Sequence, residues 1–126
     1  MIAPSDIPTM WDRIADKIAA ALMYGDGCYR LSDVRQALAT GEWQLWTDGE
    51  SIACTRLAEY PARRILFVMM AEGTIASVLA IWTKMREFGE TCGCTGAKWM
   101  ARPGWRRSGA LPAGWKHTHD MMTLEF

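Results

Sequence analysis

Arg64-Ile65-Leu66-Phe67-Val68-Met69-Met70, followed by Glu72-Gly73-Thr74 and then by Ile75 to Phe88, is the stretch that decides the fold. After Arg64 no polar residue interrupts the first run, which predicts a strand covered on both faces and therefore central in its sheet. Glu72-Gly73-Thr74 breaks it. From Ile75 the period changes, and Val78, Leu79, Trp82, Met85 and Arg86 recur at helical spacing, with Gly89 read as the stop. A buried strand feeding a long helix is the centre of an α+β or α/β plan, and the flanking segments decide between the two.

Upstream, the period is two. Trp43-Gln44-Leu45-Trp46 reads as a strand, Asp48-Gly49 as a hairpin turn, Ser51 to Glu59 as the antiparallel partner, and Tyr60-Pro61-Ala62-Arg63 as a second turn. Further back lie two helices. Trp11, Ile14, Ile18, Ala21 and Leu22 share one helical face behind a cap at Asp6 or Thr9, and Gly25-Asp26-Gly27 ends that helix. The second runs from Asp33 to Thr40, with Ser32 as its cap, Val34, Ala37 and Leu38 on the buried side, and Gly41 as the stop. Downstream, Cys94 to Met100 reads as a strand, Arg102 to Ser108 as a short helix or turn, and Met121 to Phe126 as a closing strand. Gly109 to Asp120 is punctuated by Gly and Pro and carries no assigned element. Adjacent antiparallel strands place the chain in the α+β class, with helices on a mixed sheet.

With 126 residues, the chain fits one domain, residues 1–126, that buries roughly two thirds of its unfolded surface. Fourteen basic and fourteen acidic residues cancel, so the overall balance gives no steering toward nucleic acid or an anionic membrane. The apolar run Ile14 to Met23 carries Asp16 and Lys17, too charged and too short for a membrane span. Four cysteines are few for this length, which points to reduced thiols. Seven Trp and nine Met exceed what a small core ordinarily uses. They fill irregular space, and at least one exposed Trp patch is expected as a docking surface.

Two short segments carry a family resemblance. Gly41-Glu42-Trp43-Gln44-Leu45-Trp46 is similar to a Gly-x-x-Gln-Leu-Trp-like strand start, and Ala101-Arg102-Pro103-Gly104-Trp105-Arg106 to a Gly-Arg-x-Gly-Trp-x-Arg-like segment, of small GNAT-like proteins of tailed bacteriophages. From about Trp11 onward the order of elements resembles the core of the GNAT acetyltransferases. The resemblance implies a GNAT-like mixed, mostly antiparallel sheet flanked by helices, a place in the virion or host cytoplasm, and other phage structural proteins as partners. In active members of that superfamily, a Gln/Arg-x-x-Gly-x-Gly/Ala loop presents backbone N–H groups at a helix N-terminus to the pyrophosphate of acetyl-CoA, as orphan N–H groups and the helix dipole favour.

The matching window here is Met70-Ala71-Glu72-Gly73-Thr74-Ile75. Gly73 is kept, but Met70 replaces the leading Gln or Arg, Ile75 the final small residue, and Glu72 adds a repulsion of roughly 1 kcal/mol or more toward a phosphate. The family's downstream tyrosine acid is absent, because Tyr24, Tyr29 and Tyr60 all lie upstream, while Glu42 and Glu59 are candidate bases. No catalytic residue and no cofactor are assigned. The expected function is that of a non-enzymatic or catalytically degenerate GNAT-like protein acting by protein contact. The alternative is an acyl-CoA-dependent N-acetyltransferase holding acetyl-CoA at Gly73 and Thr74.

The partner contact is expected at Trp99, Arg102, Trp105, Arg106, Arg107 and Trp115, a basic and aromatic stretch with Lys98 and Lys116 beside it. Arg and Trp are interface hot-spot residues, and the same mix can hold single-stranded nucleic acid, which the zero net charge disfavours. Cys92-Gly93-Cys94 and His117-Thr118-His119 together supply four zinc-type ligands, but one intervening residue is the wrong spacing within each pair. A turn with a buried Cys94 and a loop with exposed histidines is the expected outcome, with no metal. Cys54, Cys92 and Ser108 lack the local context of a nucleophile.

Overall fold

The computed structural model describes residues 1–109, 111–112 and 114–126. A 3-10 turn, Pro4–Asp6, leads into α1 (Ile7–Leu22) and α2 (Leu31–Thr40). Then come β1 (Trp43–Thr47), β2 (Ile52–Glu59), β3 (Arg64–Glu72), α3 (Ile75–Thr91), β4 (Gly96–Trp99) and α4 (Pro103–Arg107). The sheet order is β1-β2-β3-β4. The first three strands are antiparallel, and β4 runs parallel to β3 over Ile65↔Gly96 to Val68↔Trp99. As its unbroken apolar run requires, β3 has a strand on each side and a core on each face.

One core packs α1 and α2 on the sheet through Ile7, Ile14, Ile18, Val34, Leu38, Leu45, Ile52 and Cys54. The other packs α3 and α4 on the opposite face through Trp46, Ala53, Leu66, Val68, Val78, Ile81, Met85 and Trp105. Register is broken once. Cys54 pairs with Met70 but Thr55 with Val68, so Met69 is an extra residue on β3, and it packs with Met70 against the first core.

Several expected details change. Asp33 does not sit just inside a Ser32 cap; α2 starts at Leu31, and the Asp33 carboxylate accepts the Arg30 N–H at 2.8 Å. Neither Asp6 nor Thr9 caps α1 with its side chain, since Pro8 in the first turn removes one of the N–H groups a cap would serve. Gly89 does not stop α3, which continues to Thr91. Its role is close approach: a Cβ there would stand 3.2 Å from Leu66 Cδ2, so glycine lets the helix sit down on β3.

The expected closing strand is absent. Met121 to Phe126 forms no strand, and Met121, Met122, Leu124 and Phe126 are exposed, because strand periodicity becomes structure only where a partner strand is supplied. None of the seven tryptophans is exposed, so the expected surface Trp patch does not form. In the unassigned stretch Gly109 to Asp120, Ala110 and Ala113 lie outside the described residues, and the others form no helix or strand. Among the described residues no helix is long and apolar enough to cross a membrane.

Candidate functional site

The turn from β3 into α3 is the position where the sequence resemblance puts an acyl-CoA pyrophosphate. Thr74 is the N-cap in extended conformation, and its Oγ1 accepts the Ser77 N–H at 3.2 Å. The hydroxyl of Ser77 in turn donates to Oδ2 of Asp48, which lies in the β1–β2 turn. The other oxygen of Asp48 accepts the N–H groups of Glu50 and Ser51, each at 2.9 Å. The first turn of α3 thus already has a carboxylate beside it, where the helix dipole favours an anion.

These bonds, led by those from the Ser51 backbone and the Ser77 side chain, hold the Asp48 carboxyl down at about 2. A depressed folded-state pKa gives stability that is present above the unfolded value near 3.9 and is lost as pH falls toward 2. Wild-type protein should therefore lose melting temperature between pH 4 and pH 2 more steeply than Asp48→Asn. Parallel acid limbs in the two proteins would refute this role for Asp48.

Gly73 has φ +132, and a Cβ there would collide with Oγ and Cβ of Ser51 and lie 2.9 Å from its Cα. Ser51 itself is buried. The glycine is required by the neighbouring strand turn, whichever ligand is or is not bound. Beside it, Glu72 pairs with Arg102 at 3.4 Å, and the Arg102 guanidinium sits over Tyr24 at 4.1 Å. A tyrosine from the end of α1 thus comes next to this turn, a proximity that sequence spacing does not reveal.

The predicted contact residues divide. Trp105 is 5 % exposed and packs on Trp99 at 5.0 Å between ring centroids. Trp115 lies 6.2 Å from Trp99 and 5.0 Å from Trp82 of α3. These rings close the space between α3, β3 and β4 down to an apolar cavity of about 20 Å³ bordered by Val68, Trp82, Met85, Trp99, Pro112 and Trp115. Arg102 is half-buried against Glu72 and Trp105 (5.8 Å). Arg106 Nη1 donates to His117 Nδ1 at 3.0 Å, and His117 Nε2 meets Asp120 at 2.8 Å. Arg106 and Arg107 are exposed.

Asp48 holds the start of α3 through Ser77, Glu72 is paired with Arg102, and the room that glycine provides at position 73 is taken by Ser51. Among the candidate bases, Glu59 is paired with Arg64. Complete burial pushes the Cys54 thiol up to about 12, so it stays protonated. Among the described residues no group of three or more His, Cys, Asp or Glu side chains is placed to hold a metal. The paired cysteines and histidines are not brought into one site.

No known family profile matches the chain, and no curated protein sequence is significantly similar to it. Solved structures are. TTHA1254 from Thermus thermophilus aligns with TM-score 0.65 at 13 % identity, over 99 % of this chain and 95 % of that one. The aminoglycoside acetyltransferase meta-AAC0020, from an uncultured soil metagenomic sample and solved with sisomicin, gives 0.64 at 12 %, over 98 % and 93 %. A predicted acetyltransferase with acetyl-CoA from Clostridium acetobutylicum gives 0.64 at 11 %, over 98 % and 92 %. At such identities the likeness is one of fold, and the fold of this chain is GNAT-like, a mostly antiparallel sheet flanked by helices.

Proposed function

We propose that this chain is a GNAT-like protein without acetyltransferase activity that works through protein–protein contacts. The observation that supports it is the Asp48 carboxylate held at the start of α3 through Ser77, where an acyl-CoA enzyme would keep an anion site open. The contact surface is the exposed rim of the last third. Arg106 and Arg107 are exposed on α4, which carries the buried Trp105, and Met100, Met121, Met122, Leu124 and Phe126 supply exposed apolar area. Guanidinium and large apolar groups side by side are the chemistry of interface cores.

A minor virion or assembly role, with other phage structural proteins as partners, rests on the two short segments around Trp43 and Trp105. The deciding experiment for the enzyme question is a thermal-shift titration with acetyl-CoA. A ligand at about 100 times its dissociation constant stabilises by roughly 2.7 kcal/mol. Millimolar acetyl-CoA should leave the melting temperature of this protein unchanged. A saturable shift would favour the alternative, an acyl-CoA-dependent N-acetyltransferase using Gly73 and Thr74.

A further inference from the structure

A concavity of about 710 Å³ opens on the α1/α2 face of the sheet, in the size range of small-molecule sites. Tyr29, Asp33, Gln36, Glu42, Trp43 and Arg56 border it. Arg56 is the unusual member. It comes from β2, opposite Trp43 on β1 and Phe67 on β3, and those cross-strand pairings put all three on one face. Its guanidinium carbon lies 5.2 Å from the centroid of the Phe67 ring. Its Nε–H is buried and has no hydrogen-bond partner.

Buried donors are nearly always satisfied, and leaving one open is costly, most of all on a charged group. Arg64, Arg86 and Arg102 each meet a glutamate, whereas Arg56 meets no carboxylate among the described residues. The terminal Nη groups of Arg56 likewise have no hydrogen-bond partner among the described residues and are not buried, so its charge is open to a carboxylate.

The rest of the lining narrows the ligand. Asp33 and Glu42 border the same concavity, which works against a phosphate dianion. Asp33 is engaged with the Arg30 N–H, but Glu42 has no partner among the described residues and is free to take a cation. Tyr29 stands edge-on to Trp43 at 4.9 Å, giving the concavity an aromatic wall.

We propose that this concavity binds a small zwitterion of the α-amino acid class, its carboxylate on Arg56, its ammonium on Glu42 and its apolar side chain toward Tyr29. The site lies on the opposite face of the sheet from the tryptophan cluster, and it stands whether or not acyl-CoA binds. The test is an NMR titration of the whole chain with L-phenylalanine, with acetate, phenethylamine and inorganic phosphate as comparison probes. L-Phenylalanine should move the Arg56 Nε–H and Trp43 indole resonances saturably in the millimolar range or below. It should bind at least tenfold more tightly than acetate or phenethylamine.

Arg56→Gln and Glu42→Gln should each weaken binding at least tenfold. Glu42 is exposed, so its variant folds even where the Arg56 one does not. No saturable movement of the Arg56 resonance, phosphate binding more tightly than the amino acid, or unchanged affinity in Glu42→Gln would each overturn the proposal.

Discussion

Gly73→Ala should lower the stability of the free protein by about 2–4 kcal/mol, a drop in melting temperature of roughly 10 °C, with no ligand present. The residue sits at φ +132, which side-chain-bearing residues rarely adopt, and its missing Cβ is the space that Ser51 fills. Strain and overlap therefore add. If Gly73 served a phosphate instead, alanine would spare the melting temperature and affect only binding. Ser51→Gly placed in the Gly73→Ala background should recover part of the loss, because it removes the overlap with the Ser51 side chain and leaves the strain and the 2.9 Å approach to the Cα of residue 51. Urea or thermal unfolding of the two variants measures both effects, and an unaltered Gly73→Ala would sink this account.

Trp105→Ala should cost about 3–5 kcal/mol, the range for emptying a buried aromatic site. The side chain is 5 % exposed, its ring meets Trp99, and it belongs to the core beneath α3 and α4. Arg107, two residues on and exposed, should tolerate alanine within about 0.5 kcal/mol. A Trp105→Ala loss below about 1 kcal/mol would mean that the ring contributes little to the core. The contrast separates two roles within Arg-Pro-Gly-Trp-Arg-Arg: a tryptophan that anchors α4, and an exposed Arg107 that the core does not need.

Much of the fold is legible in the sequence because burial leaves a periodic trace. Arg64 to Met70 reads as a central strand since both of its faces must be apolar, and Ile75 to Phe88 reads as a helix since only one of its faces is. Gly89 misleads because the same residue serves a helix stop and a close packing contact, and only the position of Leu66 tells which. Met121 to Phe126 misleads because its alternating pattern fits a strand whose partner is not there.

The candidate site is less legible, being assembled from distant segments. Asp48 reads correctly as a turn residue, but its bond to Ser77 joins positions 29 residues apart. Trp99, Trp105 and Trp115 look like a surface stretch in one dimension and pack with Trp82 in tilted and edge-on ring contacts in three. Arg56 left no signal at all, since an unpaired buried donor is a property of neighbours rather than of spacing.

The one parallel pairing in the sheet also divides the chain by the cost of closing it. β1, β2 and β3 are joined by turns of four residues, Asp48 to Ser51 and Tyr60 to Arg63, whereas β4 joins β3 only after the whole of Gly73 to Thr95. In loop-closure entropy the longer connection costs about 1.5 kcal/mol more. The strands bearing Arg56 and Trp43 can therefore assemble from near neighbours in the chain, while the tryptophan-walled end is won back only by contacts made at long range.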